Sequence, residues 1–259
     1  MTRHRVPAAT AALLLSAACG PAEHQYPVRF ALTWGGAAVA CGTSFGDGLT
    51  LTDFRLYLAE PRLHAAGEWH DPAAAGAVWL LDLEDGSGEC SNGSAAITDT
   101  VTVTSPIGAA DGFDFMLGVP FSLNHNDPLT AAAPLNDPQM HWHWRSGYKF
   151  MRIGVKEGGQ RWHVHLGSTG CRGSIGAVEG CERPNRARLE VADWRPGQVV
   201  ELDLQRLLNG LPRPLGASSH CLGDRDDPAC RRIMQNLGLD PDSGRAAAPA
   251  PFAAVRTGS

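Results

Sequence analysis

Short segments in which apolar and polar residues alternate, separated by turn-forming residues, most constrain the fold of this chain. Residues 28–34 and 49–58 alternate with a period of two, as half-buried β-strands do. The alternation slips between Leu51 and Phe54, which indicates a β-bulge. With 30 glycines and 18 prolines among 259 residues, turns and short strands are favoured over long helices. We therefore predict an all-β protein, built as an antiparallel β-sandwich.

The remaining predicted elements fit the same architecture. Residues 148–156 and 161–166 flank a glycine-containing turn and predict a β-hairpin. Further strands are predicted for residues 78–83, 113–119, 186–191 and 198–204. Helical spacing occurs in residues 228–239, which we predict to form one short C-terminal helix.

The two ends of the chain fall outside the predicted domain, which spans residues 25–240. A basic flank, a short apolar run and small residues predict a secretory signal peptide over residues 1–19. Its end is similar to a bacterial lipobox, so we predict that Cys19 is lipidated, with ordinary cleavage as the alternative. This places the protein in the periplasm or at the outer-membrane surface. The tail, residues 241–259, is rich in Ala, Pro and Arg and is predicted to be disordered.

The charge of the chain excludes some partners. The formal net charge is −5 at pH 7, and the sequence contains no dense basic cluster. We therefore expect no binding to nucleic acid or to an anionic membrane surface. Contact with a membrane is expected only through the lipid anchor.

Cysteines give a second structural constraint. Six remain besides Cys19, and an even number in an exported protein predicts disulfides. Many pairings are possible. The spacing favours two local loops and leaves the two N-terminal cysteines as a third pair: Cys171–Cys181, Cys221–Cys230 and Cys41–Cys90. A thiolate metal site is disfavoured, because the chain has no Cys-x-x-Cys pair.

Histidines cluster in one part of the chain. Half of the ten lie between positions 125 and 165: His125, His141, His143, His163 and His165. In an extended strand over residues 140–145, Trp142 and Trp144 share one face, and the two histidines share the other. Imidazoles from separate segments can converge on one copper, zinc or nickel ion. The alternative is that these histidines are ordinary polar residues on a strand surface.

Other chemistries have weaker support. The chain contains neither a Gly-x-Ser-x-Gly motif nor a His-Glu-x-x-His motif, and Ser168 is expected to lie in a tight loop. Two acidic groups offer oxygen ligands for Ca²⁺: Asp82, Glu84 and Asp85, and Asp224, Asp226 and Asp227. Neither group matches an EF-hand loop, so we interpret them as solvated turns and keep calcium as an alternative. Asp53 and Arg55 are predicted to form an ion pair.

Several ordered motifs resemble one known family, the MbnP-like proteins, also called metallo-mystery pair four-Cys-motif proteins. The motifs are Gly118-Val119-Pro120, Asn124-His125, Met140 to Trp144 with its Trp-x-Trp element, Gly147 to Phe150, and His165 to Cys171. The resemblance covers roughly residues 28 to 240. It implies a relation to CorA and MopE, secreted copper proteins of methane-oxidising bacteria.

The resemblance implies a copper site in which a tryptophan, oxidised to kynurenine, lies beside histidines. The oxidation is assigned in the family to a MauG-like dihaem c-type cytochrome. Carried over, His125 and His165 match the family's histidines. Trp142 and Trp144 match the Trp-x-Trp element, and one of them is the candidate for oxidation. Three further histidines rank as secondary ligand candidates: His141, His143 and His163.

These observations lead to one preferred function. We predict an extracytoplasmic copper-binding protein, not an enzyme, that captures, stores or hands over copper. The geometric requirement is that His125 and His165 meet the two tryptophans in one pocket. Two alternatives stay open: a cell-surface interaction module whose Trp and His cluster is structural, and a redox enzyme that uses the copper.

Overall fold

The computed structural model describes residues 22–71, 77–91, 93, 95–216, 220–223 and 226–255. The predicted signal peptide with Cys19, and Asp224 of the second acidic group, lie outside the described residues. Strands dominate the described part of the chain and helices are short. None of the helices in these ranges is both long enough and apolar enough to span a bilayer. The prediction of an all-β sandwich is confirmed.

The element bounds follow the alternating pattern closely. The strands are β1 (His24–Trp34), β2 (Ala37–Ala38), β3 (Ser44–Phe45), β4 (Leu49–Ala65), β5 (Glu68–His70), β6 (Val78–Asp82), β7 (Thr100–Ser105), β8 (Gly112–Leu117), β9 (His141–His143), β10 (Gly147–Tyr148), β11 (Met151–Glu157), β12 (Gln160–Leu166), β13 (Thr169–Ser174), β14 (Ala177–Arg183), β15 (Ala187–Val191), β16 (Val199–Asp203), β17 (His220–Cys221) and β18 (Ala253–Val255). The helices are α1 (Phe121–Asn124), α2 (Leu204–Leu207) and α3 (Pro228–Asn236), with a 3₁₀ turn at Pro138–Met140.

Two sheets form the sandwich. In the larger sheet the order is β15-β8-β4-β11-β12-β17, and β3, β5 and β6 also pair with β4. In the smaller sheet the order is β18-β16-β1-β2, and β7 pairs with β1. The inner faces meet in the core, where the rings of Phe30 and Phe113 lie 6.1 Å apart between centroids. Burial of such alternating apolar faces holds the two sheets together.

Two strand pairs depart from the antiparallel prediction. β1 pairs with β16, and β12 with β17, in parallel. Each pair joins strands that are far apart in the sequence, so the chain has room to return in the same direction. The second pair brings His220 beside β12.

The central strand, β4, confirms the predicted bulge. Gly154 of β11 pairs with Asp53, whereas the next residue, Val155, pairs with Leu51. Thr52 is therefore the extra residue that shifts the alternation. The bulge leaves Asp53 and Arg55 buried together, and the predicted ion pair between them forms, with Nε and Oδ1 at 3.1 Å.

The predicted hairpin, helix and disulfides are also present. β11 and β12 pair around Gly158 and Gly159, which have φ values of +53° and +92°. The α3 helix ends at Asn236, three residues before the predicted end. The disulfides join the pairs that the spacing favours: Cys41–Cys90, Cys171–Cys181 and Cys221–Cys230.

The prediction of a disordered tail is wrong for residues 241–255. Phe252 is buried in the core, and the backbone of Ala253–Val255 pairs with β16. A composition of Ala, Pro and Arg suggested disorder, but one buried aromatic ring and one row of sheet hydrogen bonds order the segment. The folded domain therefore extends beyond the predicted limit of residue 240.

Candidate metal centre

A buried asparagine organises the loops around the histidines. The amide Oδ1 of Asn124 accepts a hydrogen bond from the backbone N–H of Tyr148 at 3.0 Å, and its Nδ2 donates to Ser146 O at 3.3 Å. The segment that ends in His125 is thereby tied to the turn after β9. Gly147 is required here, because its φ is +73° and a Cβ would lie 2.1 Å from the Asn124 carbonyl oxygen.

The hydrogen bond to Nδ1 determines the tautomer of His125. Nδ1 lies 3.3 Å from the Trp144 carbonyl oxygen, which can only accept, so Nδ1 carries the proton. Nε2 then keeps its lone pair. It lies 3.3 Å from the Asn124 amide nitrogen and 3.7 Å from Cys181 Sγ. Burial lowers the pKa of His125, so the ring is a neutral donor.

The two histidines of β9 differ in their availability. The Nε2 atom of His141 is buried and has no hydrogen-bond partner among the described residues. In His143, Nδ1 accepts from the Arg145 N–H at 3.2 Å and Nε2 lies 3.2 Å from Ser146 Oγ. Both nitrogens of His143 are therefore used within its own turn. Of these two histidines, His141 has the freer donor atom.

The two tryptophans occupy different environments. The β9 strand covers only His141–His143, so the predicted continuous strand over residues 140–145 is wrong at both ends, and Met140 lies in the preceding 3₁₀ turn. Trp144 lies in the turn that leads to β10, and the Arg145 guanidinium lies 4.9 Å from its ring centroid. Trp142 instead lies beside His165, with ring centroids 6.4 Å apart.

The backbone at Gly167 fits closely against Trp142. A Cβ at this position would lie 2.9 Å from Cζ3 of Trp142 and 2.7 Å from the Tyr148 carbonyl oxygen. Glycine therefore allows the indole ring to pack directly on the strand end that carries His165. This close packing against Trp142 explains why a glycine follows His165 and Leu166 in the sequence.

Burial and positive neighbours keep His165 uncharged. Its pKa is lowered to about 3, first by burial and then by the charges of His163, Arg152 and Lys149. Arg152 faces His165 across the β11/β12 pair. At neutral pH the imidazole is therefore unprotonated, and a metal ion does not have to compete with a proton for its lone pair.

A row of rings continues from His165 towards solvent. The centroids of His163 and His165 lie 4.4 Å apart, and those of His163 and His220 lie 5.6 Å apart with planes 19° from parallel. His220 is exposed, whereas His163 is partly buried. The sequence analysis missed His220, although its position next to Cys221 of a predicted disulfide was a usable signal.

The His-Trp-His-Trp segment therefore touches both predicted ligands, His125 through the Trp144 carbonyl and His165 through the Trp142 ring. Two groups of described residues bring three His, Cys, Asp or Glu ligand atoms within 4.8 Å of one another: His125 with Cys171 and Cys181, and Glu84 with Cys41 and Cys90. All four of these cysteines are in disulfides. A single pocket that joins His125 and His165 stays a prediction.

The acidic groups have mainly structural roles. Glu84 is buried, and its Oε1 lies 4.0 Å from Arg55 Nε, so the prediction of a solvated turn is wrong for this residue. Burial raises the pKa of Glu84 to about 7. Asp227 caps α3 by accepting from the Cys230 N–H at 2.7 Å. No three carboxylates lie within 4.8 Å of one another in the described ranges, so calcium gains no support.

Comparison with known proteins decides the family. The family model of MbnP matches residues 23–219. The chain belongs to the MbnP family. The structure is also similar to that of MbnP from Methylosinus trichosporium, with a TM-score of 0.74 and 26% sequence identity over 90% of this chain and 98% of that one. No curated protein matches the sequence of this chain.

Membership in the MbnP family confirms the resemblance drawn from the motifs. Together with the three disulfides, it indicates a copper-related extracytoplasmic protein. Within this MbnP-family chain, several supporting residues were not singled out from the sequence as parts of the site. These are Asn124, Gly147, Gly167, Asn185 and His220. Asn185, for example, donates from Nδ2 to the Gly167 carbonyl at 2.7 Å and so holds the strand end beside Trp142.

Proposed function

We propose that this protein binds one copper ion outside the cytoplasm and captures, stores or hands it over. The observation that carries the proposal is the position of the Trp142 ring beside His165, while the same segment orients His125 through the Trp144 carbonyl. Two neutral imidazoles and an aromatic side chain are thereby supplied by three separate parts of the fold. Imidazole nitrogens are suitable ligands for copper.

The donor set fits copper only if a third ligand is available. An intact indole offers an N–H donor and no lone pair for a metal. Opening of the ring to kynurenine would supply an aromatic amine and a ketone at that place. The cysteines next to the site are in disulfides and so do not compete as thiolates.

Trp142 is the tryptophan that the contacts favour for this oxidation. It lies against the His165 ring, whereas Trp144 lies in a turn beside the Arg145 guanidinium. Trp142 is only partly buried, which leaves it accessible to an external oxidant. A MauG-like dihaem c-type cytochrome is the proposed oxidant, and the protein itself is proposed to bind copper without catalytic turnover.

The small donor set favours Cu(I) over Cu(II). His125 and His165 supply two imidazole nitrogens, and burial keeps both rings neutral. Few nitrogen donors and a low coordination number favour this lower oxidation state.

The decisive experiment combines mass spectrometry with metal analysis. The protein is produced in the periplasm with and without its dihaem cytochrome, and loaded with Cu(I). We expect about one copper per chain only where the peptide that contains Trp142 carries the mass shift of ring opening. Failure of the oxidised protein to bind copper would contradict the proposal.

A pair of variants assigns the tryptophan. Trp142→Phe should lose both the mass shift and copper binding. Trp144→Phe, the matched control in the turn two residues later, should keep both. The reverse pattern would transfer the role to Trp144 and leave the copper proposal intact.

A further inference from the structure

Three histidine rings form a row that leads from solvent to the proposed copper site. His220 is exposed, His163 follows at 5.6 Å between ring centroids, and His165 follows at 4.4 Å. The Trp142 ring comes next, 6.4 Å beyond His165. The row therefore connects the surface with the residues that are proposed to hold copper.

The outer member of the row is held in place by the fold. His220 pairs with His163 in the parallel register of β17 and β12, and the next residue pair is Cys221 with Val164. Cys221 is buried and bonded to Cys230 of α3, which is also buried. The disulfide thus anchors a two-residue strand whose exposed end presents an imidazole beside another.

The spacing of the outer two rings suits a shared metal ion. An ion at about 2.0 Å from a nitrogen of each imidazole separates the two ring centres by roughly 4.5–6 Å. The observed 5.6 Å between His163 and His220 lies in this range. The two ring planes are stacked 19° from parallel, and an ion must lie in the plane of each imidazole that binds it, so the exposed His220 ring has to turn to share the ion. The three rings do not bring all their donor atoms within 4.8 Å of one another, which distinguishes a row from one three-histidine site.

The small number of donors disfavours long retention of a cation at the outer end of the row. Two imidazoles fill only two positions around the ion, and the His220 ring is exposed to solvent, so the site is weak. Weak binding at an exposed position is what a transfer step requires, because the ion must also leave.

We propose that His163 and His220 form a second, solvent-facing copper-binding pair that receives the ion and passes it to His165. This inference rests on the proposed function, since it assumes that copper is finally held beside His165 and Trp142. It adds two residues to which the MbnP motifs assign no role. It also gives copper loading a direction, from the exposed edge at β17 inwards to His165.

The first test separates the rate of loading from the final affinity. Cu(I) is delivered from a coloured chelator to the tryptophan-oxidised protein, and loading is followed by stopped-flow absorbance. His220→Ala should load roughly tenfold more slowly than the parent protein, because the receiving ligand is lost. Its equilibrium affinity should change by less than about twofold. His24→Ala, which removes an exposed histidine from β1, should leave both unchanged.

The outcomes discriminate between the two proposals. If the parent protein binds no copper, the proposed function fails. If the parent binds copper and His220→Ala loads at the same rate, only the transfer pair is overturned. If His220→Ala loses affinity as much as it loses rate, His220 belongs to the final site, and the two-stage arrangement is wrong.

A second measurement does not depend on the final site. In His165→Ala, diethylpyrocarbonate modification of His163 and His220 is quantified by peptide mass spectrometry, with and without Cu(I). We expect copper to protect both histidines from modification, and His24 to react equally in both samples. Equal modification of His220 with and without copper would overturn the pair.

Discussion

Two buried polar regions of the protein accommodate charge in opposite ways. In the first, which we call the ion-pair cluster, Arg55 is bonded to Asp53 and lies near Glu84, and Arg152 also reaches Asp53 at 2.6 Å. In the second, the imidazoles of His125, His163 and His165 are neutral and face each other or aromatic rings. Charge is compensated in one region and avoided in the other. Groups that burial leaves neutral and with lone pairs are those available to a metal.

The largest effect should come from breaking the ion-pair cluster. Arg55 is 3% exposed in its side chain, and its removal takes the cation away from the buried Glu84 and leaves Asp53 paired with Arg152 alone. We expect Arg55→Ala to lower the free energy of unfolding by about 3–5 kcal/mol. Chemical denaturation measures this change. The exposed Arg161→Ala is the control, and an equal loss in both variants would mean that burial of the pair is not what matters.

Loss of a proposed ligand should affect copper and leave the fold nearly unchanged. We expect His165→Ala to lower copper affinity at least about tenfold in competition with a Cu(I) chelator. His143→Ala, whose ring bonds only within its turn, should bind as tightly as the parent protein. Unchanged affinity in His165→Ala would remove this residue from the site and erase the functional contrast between the two regions.

The two regions should respond to pH in opposite directions. The folded-state pKa of His165 is lowered to about 3 from 6.5, so the unfolded chain binds more protons between these values. Stability from this group is therefore lost as the pH falls below about 6.5. The folded-state pKa of Glu84 is raised to about 7 from 4.5, so its stability is lost as the pH rises through that interval.

Thermal unfolding from pH 4 to 8 tests this contrast. Relative to the parent protein, His165→Gln should gain stability at the acidic end, because no buried base has to take up a proton. Glu84→Gln should gain at the alkaline end, because no buried carboxyl has to ionise. A gain at the same end of the pH range in both variants would show that the two groups do not differ in the way that their pKa shifts require.

The smallest effect is expected at Trp144. Removal of the Arg145 guanidinium from its ring should cost about 0.5–1 kcal/mol of unfolding free energy, since the contact is exposed. Copper affinity should stay unchanged in Arg145→Ala. A loss of copper binding would indicate that Trp144, and not Trp142 alone, shapes the site.

Much of the fold was predictable because alternation and spacing are local signals. The bulge at Thr52, the hairpin of β11 and β12, and the three disulfides follow from patterns within short windows or from the parity of the cysteines. The strand pairing of His220 with His163 was not predictable in this way. It depends on a parallel pair between segments more than fifty residues apart, and such register is set by packing.

The candidate site was predictable in its residues more than in its arrangement. The motifs identified His125, His165 and the two tryptophans, but they treated Trp142 and Trp144 as equivalent. The turn that begins after His143 separates the two rings. A turn of three residues gives only a weak signal in the sequence. The supporting roles of the Asn124 and Asn185 amides were missed because a buried asparagine and a surface asparagine look the same in a sequence.

The C-terminal segment has a consequence for the handling of the protein. Because Ala253–Val255 covers the outer edge of β16, a chain shortened at residue 240 would expose a row of unpaired N–H and C=O groups and uncover the place of Phe252. Such an open edge invites pairing with a second chain. Aggregation of a truncated protein would therefore report the loss of this cover, not a fault in the metal centre.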